Sequence, residues 1–141
     1  MAIAKSFAAT AVFAGVAFGT AVTAWADTPT MDGSYTETST SPDGKAVSTS
    51  WSVNSCGDGC IFIKAGAGGH QAHLVNGQWV SDTFNDAICA DGSYVMYASK
   101  AHMVWDPNTL VGTVDLTYII PACGKPPGYT QTNKVEIKQS S

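Results

Sequence analysis

Cysteine is the residue type in this chain whose spacing bears most directly on chemistry. Cys56 and Cys60 flank Gly57-Asp58-Gly59, and Cys89 and Cys123 follow at longer range. Redox work by such a pair needs a depressed thiolate pKa, usually set by two intervening residues at a helix start. Here three residues intervene, the flanking segments read as strands, and Asp58 opposes a thiolate. The expectation is therefore a structural framework, suited to an oxidising compartment. Four cysteines allow three pairings. Cys56–Cys60 with Cys89–Cys123 is the favoured one, because Gly57-Asp58-Gly59 lets the chain curl tightly; the other two stay open.

His70 and His73 are the closest histidine pair, yet three residues along a strand point to opposite faces. They read as exposed strand histidines rather than metal ligands, and His102 falls on the polar face of a later strand. No metal site and no cofactor is expected. Gly66-Ala67-Gly68-Gly69 lacks the following helix N-terminus that a phosphate cradle requires, and reads as a flexible connector. Serines are many, but no Gly-x-Ser-x-Gly elbow occurs. Asp58, Asp91 and Asp106 each stand in a turn, where aspartate ordinarily bonds the local backbone. No catalytic residue is assigned. A hydrolase built from turn aspartates and His102 is the least favoured reading.

The aromatic residues are the remaining handle. Trp51, Trp79, Tyr97, Trp105 and Tyr118 fall on or beside the apolar faces of their segments. They read first as core, and in a wide enough barrel they would line a ligand cavity.

The segments that carry these residues alternate with period two and are separated by recognisable turns. Gly33–Thr40 is polar, with Tyr35 its only large side chain. Ser41-Pro42-Asp43-Gly44 is a turn, after which Val47, Thr49, Trp51 and Val53 share a face. Cys60–Lys64 is a short apolar run closed by the loop Ala65–Gly69. His70–Val75 and Gln78–Phe84 are joined by Asn76-Gly77, a strong hairpin signal. Asp91-Gly92 marks the next turn, and Tyr94–Trp105 puts Val95, Tyr97, Ala101, Met103 and Trp105 on one face. Beyond Asp106-Pro107-Asn108, Leu110, Val114, Leu116, Tyr118 and Ile120 face one way. Pro121–Tyr129 is a loop holding Cys123, and Val135 and Ile137 mark a last strand. The expected fold is all-β, an antiparallel meander of about eight strands closed as a small barrel or stacked as a two-layer sandwich. Short connections favour the barrel.

The N-terminus is set apart. Lys5, the uncharged run Phe7–Val22 and Ala24-Trp25-Ala26 follow the order of a removable export signal. Residues 1–26 are expected to form this signal-peptide helix and residues 27–141 a secreted β domain with two disulfides, starting at Asp27. Six lysines, no arginine and eleven acidic residues leave that domain at a formal charge of −5. Such a surface lacks the cationic footprint of nucleic-acid binding, and it makes anionic membranes poor partners once the signal is gone.

Several pieces together resemble small secreted proteins of mycobacteria and related actinobacteria, a group without an assigned activity. They are Trp51 ahead of Cys56-Gly57-Asp58-Gly59-Cys60, Leu74-Val75-Asn76-Gly77-Gln78-Trp79, Cys89-Ala90-Asp91-Gly92 and Trp105-Asp106-Pro107-Asn108-Thr109-Leu110-Val111-Gly112. Every piece is a turn, a cysteine or a large aromatic, so the resemblance implies a shared scaffold and no catalytic residue. The expected function is non-enzymatic binding in the cell envelope or outside it. The partner would be an unknown protein or a small apolar ligand. A carrier would hold its ligand among the aromatics. An interaction or inhibitor module would use loops such as Ala65–Gly69 and Cys123–Tyr129.

Overall fold

The computed structural model describes residues 28–140 of the chain. The expected signal helix and the cleavage point before Asp27 lie outside the described residues. Within them there is no helix. Eight strands run in sequence: β1 (Gly33–Thr40), β2 (Ala46–Gly57), β3 (Cys60–Ala65), β4 (Gly68–Val75), β5 (Gln78–Ile88), β6 (Tyr94–Trp105), β7 (Val111–Tyr118) and β8 (Thr130–Gln139). Each pairs antiparallel with the next, and β8 returns to β1, so the sheet closes into a barrel and the sandwich is set aside. Closure leaves no strand edge unpaired.

The turns follow local chemistry. Asn76 and Gly77 both take positive φ (52° and 81°), the geometry of a two-residue turn whose twist suits the flanking strands. In the β1–β2 turn the Gly44 N–H donates to the Ser41 carbonyl at 2.8 Å. The Ala65–Gly69 segment is not the flexible loop expected. Only Gly66 and Ala67 turn, whereas Gly68 and Gly69 already pair with Ala65 and Lys64. A Cβ at Gly69 would lie 2.5 Å from the Phe62 ring, so glycine there lets that ring lie across the strand.

An antiparallel meander sends alternate turns to opposite ends of the barrel. The β2–β3, β4–β5 and β6–β7 turns share one end with the incoming chain at Met31. That end is filled: Met31, Val53, Ile61, Trp79, Trp105 and Ile137 are buried there, with Leu74 and Leu110 packed against them. Trp79 and Trp105 are cross-strand partners with rings 6.4 Å apart, and Trp51 tilts onto Trp105 at 5.7 Å. Gly112 passes directly beneath this cluster, where an added Cβ would lie 2.6 Å from the Trp105 Cα.

Both favoured disulfides form. Cys56–Cys60 clips the β2–β3 hairpin at the filled end, and Cys89–Cys123 ties the β5–β6 and β7–β8 loops together at the other. By the chain-entropy model the longer bridge stabilises by about 4 kcal/mol. Two disulfides and no free cysteine fit an oxidising environment.

The β5–β6 pair departs from strict alternation. Asn85 pairs with Ser99 and Ala87 with Val95, so Met96, Tyr97 and Ala98 oppose Asp86 alone. Tyr97 takes φ 51° at this bulge. The Asp86 carboxylate holds the bulge, accepting from the Tyr97 N–H at 2.8 Å and from the Tyr94 hydroxyl.

Candidate functional site

Side-chain size falls along the inner face from the filled end to the other. On β5 the inward sequence is Trp79, Ser81, Thr83, Asn85, and on β6 it is Trp105, Met103, Ala101, Ser99. On β1 it is Tyr35, Glu37, Ser39, and on β8 it is Ile137, Val135, Asn133, Gln131. Large residues meet across the lumen at one end, and small or polar ones cannot do so at the other. The result is a cup. Its cavity measures about 830 Å³ and opens between the β1–β2, β5–β6 and β7–β8 loops. Trp51 and Ala65 lie toward its floor, while Met103, Val114, Leu116 and Tyr118 form an apolar wall. Thr49, His70, Ser81, Thr83, Gln131 and Asn133 supply polar groups.

The expected aromatic lining is reached in part. Trp51 and Tyr118 line the cavity. Trp79 and Trp105 are wholly buried beneath it, and both indole N–H groups lack a hydrogen-bond partner among the described residues. Tyr97 is displaced from the lining. The bulge at Asp86 breaks the alternation, buries Ala98 beside the inward Ser99 and leaves Tyr97 59% exposed on the outer wall, edge-on to Phe84. Ile120 also leaves the inner face, since β7 ends at Tyr118.

Two inward ionisable groups were not legible as such. Glu37 sits on β1, opposite Thr49 of β2 and Ile137 of β8, and is 6% exposed. Burial alone pushes its carboxyl up to about 7. No hydrogen bond offsets that burial among the described residues. His70, read from sequence as exposed, instead faces the lumen half-buried, edge-on to Trp51 at 6.5 Å. Burial lowers its pKa below the ordinary histidine value, so its imidazole is neutral at physiological pH.

The remaining chemistry-bearing residues are scattered. His73 and His102 point outward, and no group of three metal-ligating side chains occurs among the described residues. His102 Nδ1 lies 2.7 Å from Asp82 Oδ1 on the outer wall, an exposed cross-strand pair. Asp106 accepts from the N–H groups of Asn108 and Thr109, and Asp91 from the N–H and hydroxyl of Ser93. These bonds hold both carboxyls below the usual range. Asp58 and Asp106 stand at the filled end and Asp91 at the open end, so the turn aspartates and His102 do not converge on one site.

Comparison with known proteins finds no matching family model, no matching curated protein and no matching solved structure. The cavity itself is therefore the guide to function.

Proposed function

We propose that this chain is an exported, non-enzymatic binding protein that carries one small molecule inside its barrel. The observation that supports it is the cavity of about 830 Å³, within the range of small-molecule sites and open at one end. An eight-stranded barrel has an interior just wide enough to be filled by side chains or to hold one small ligand. This one fills one end with side chains and leaves the other open. The two disulfides and the export signal read from residues 1–26 support a place in the cell envelope or outside it. The resemblance to secreted actinobacterial proteins agrees with that location. The lining alternates apolar and polar groups, so the ligand is amphipathic rather than the purely apolar one expected from the aromatics.

The test is a native mass spectrum of the protein collected after export by its own host. The expected species begins at Asp27, lacks four hydrogens, and carries extra mass that leaves on denaturation. The released compound added back to bare protein at a hundredfold excess over Kd should stabilise it by about 2.7 kcal/mol. Bare protein, with no stabilisation by host extract, would end the carrier reading.

A second reading rests on a different surface. Phe84, Ile88, Tyr94, Met96 and Tyr97 are all more than half exposed on the β5–β6 hairpin beside the mouth. An apolar patch of this kind marks interaction surfaces. An interaction module would lose partner capture on Phe84→Ser with Met96→Ser while its cavity still bound ligand.

A further inference from the structure

The carboxyl of Glu37 is the least expected group in the lumen. Its side chain is 6% exposed, lines the cavity and makes no hydrogen bond to the described residues, so its carboxyl oxygens look into the open lumen. A buried acid is ordinarily paired or hydrogen-bonded, because removal from water without compensation is costly. The described residues offer it no internal cation. The sequence has no arginine, and the lysines among the described residues are exposed on the outer wall or, as Lys45 and Lys125, in the rim loops. Its partner is therefore whatever occupies the lumen, water or a ligand that displaces it.

The register shows what lies beside it. Tyr35 pairs with Trp51 and Glu37 with Thr49, so Glu37 and Trp51 are diagonal neighbours on the inner face. Such pairs are about 7–8 Å apart, within reach of an aromatic ring. A carboxylate near an indole ring is a setting for an organic cation, which gains charge pairing from one and cation–π attraction from the other. The net negative charge of the domain draws cations toward the mouth as well.

We propose that the cavity binds an amphipathic organic cation, its amine set against Glu37 and Trp51 and its apolar body along Met103, Val114 and Leu116. This rests on the carrier reading above and assigns its ligand class. Around Glu37, the inward neighbours on β2 and β8 are Thr49 and Ile137, neither titratable. Across the lumen stand neutral His70 on β4 and Tyr118 on β7, and the rim carries Asp43, Lys45, Asp86, Lys125 and Tyr129. Glu37 is thus the acid placed on the inner face beside Trp51, and the group set to pair with the amine.

Octylamine, octanol and octanoate, titrated calorimetrically into the disulfide-bonded protein at pH 8, separate the cases. Octylamine should bind roughly tenfold or more tightly than octanol, the margin of a charge-assisted hydrogen bond. Glu37→Gln should remove that margin and leave octanol binding intact. In the wild-type protein the margin should also shrink as pH falls from 8 to 6, and Glu37→Gln should flatten that dependence. Equal binding of amine and alcohol, or tightest binding of octanoate, overturns the cationic ligand and leaves the carrier reading standing. A margin that survives in Glu37→Gln overturns it too, since the rim acids would then hold the amine. No binding by any of the three overturns the cationic ligand, while the carrier reading still turns on the mass spectrum of the exported protein.

Discussion

Neutralising Glu37 should make the empty protein more stable at alkaline pH and leave it unchanged at acid pH. Burial raises this carboxyl from 4.5 to about 7 in the folded state. Between those values the native protein holds a proton that the unfolded chain has released. Stability therefore falls as pH rises through that window, and the loss is complete above the folded value. One pKa unit corresponds to about 1.36 kcal/mol, so the full window amounts to roughly 3 kcal/mol. Water entering the open cup screens the charge, which makes that figure a ceiling. Glu37→Gln keeps the shape and does not titrate.

The assay is urea denaturation of both proteins at half-unit steps from pH 4.5 to 8.5, without ligand. The stability difference, variant minus wild type, should start near zero, climb between pH 5 and 7, and level off by pH 8. Its steepest slope cannot exceed about 1.4 kcal/mol per pH unit, the limit for one proton. His70 works in the opposite direction. Burial lowers its pKa, so its contribution is present at neutral pH and lost as the solution is acidified below the ordinary histidine value. It is common to both proteins and cancels in the difference. A flat difference would show that Glu37 is solvated or paired in solution, and the unpartnered acid would be gone.

Two further substitutions probe the floor and the lumen. Gly112→Ala places a Cβ against the Val104 carbonyl and the Trp105 backbone. It should cost about 2–3 kcal/mol in chemical denaturation and alter the near-ultraviolet dichroism of the tryptophan cluster. Ser81→Val puts an apolar side chain at a buried lumen position facing Met103. It should stabilise the empty protein by about 1 kcal/mol while weakening octylamine, a gain in stability made at the expense of the cavity.

Much of the barrel was legible because its strands carry signals of only two kinds. Turn residues with positive φ, such as Asn76-Gly77 and Gly44, fixed where the chain reverses. Period-two patterning fixed which side of β2 or β8 faces in, as Trp51, Val53, Val135 and Ile137 are all buried. The Gly57-Asp58-Gly59 spacer likewise identified the short disulfide. Tyr97 was misplaced because a bulge inserts extra residues and reverses alternation part-way along β6. Nothing in Tyr94–Trp105 marks that break except Asp86 on the neighbouring strand. Barrel and sandwich could not be separated by periodicity, since closure depends on β8 meeting β1, a pairing about a hundred residues apart in sequence.

The cavity was hidden for a different reason. On β1 both faces are polar, so alternation cannot distinguish Glu37 from Thr36 or Thr38, and only the register against β2 and β8 turns it inward. His70 is disguised in the same way by Gly69 and Gln71. The inner face of a barrel also has an axis that a linear pattern does not display. Trp79, Ser81, Thr83 and Asn85 read as a strand losing its hydrophobic face, and in isolation that suggests a fraying end. Once the sheet is closed, the same decline recurs on β1, β6 and β8 toward a common mouth. Burying a large apolar side chain at each of those positions would stabilise the fold by about 1.5–3 kcal/mol. A small disulfide-bonded domain with little core to spare has forgone that stabilisation on four strands at once, and Glu37, the one carboxylate buried among the described residues, stands where it was forgone. Stability alone gives no reason for that arrangement. A ligand that completes the core, supplying both the missing apolar volume and the missing partner for Glu37, does.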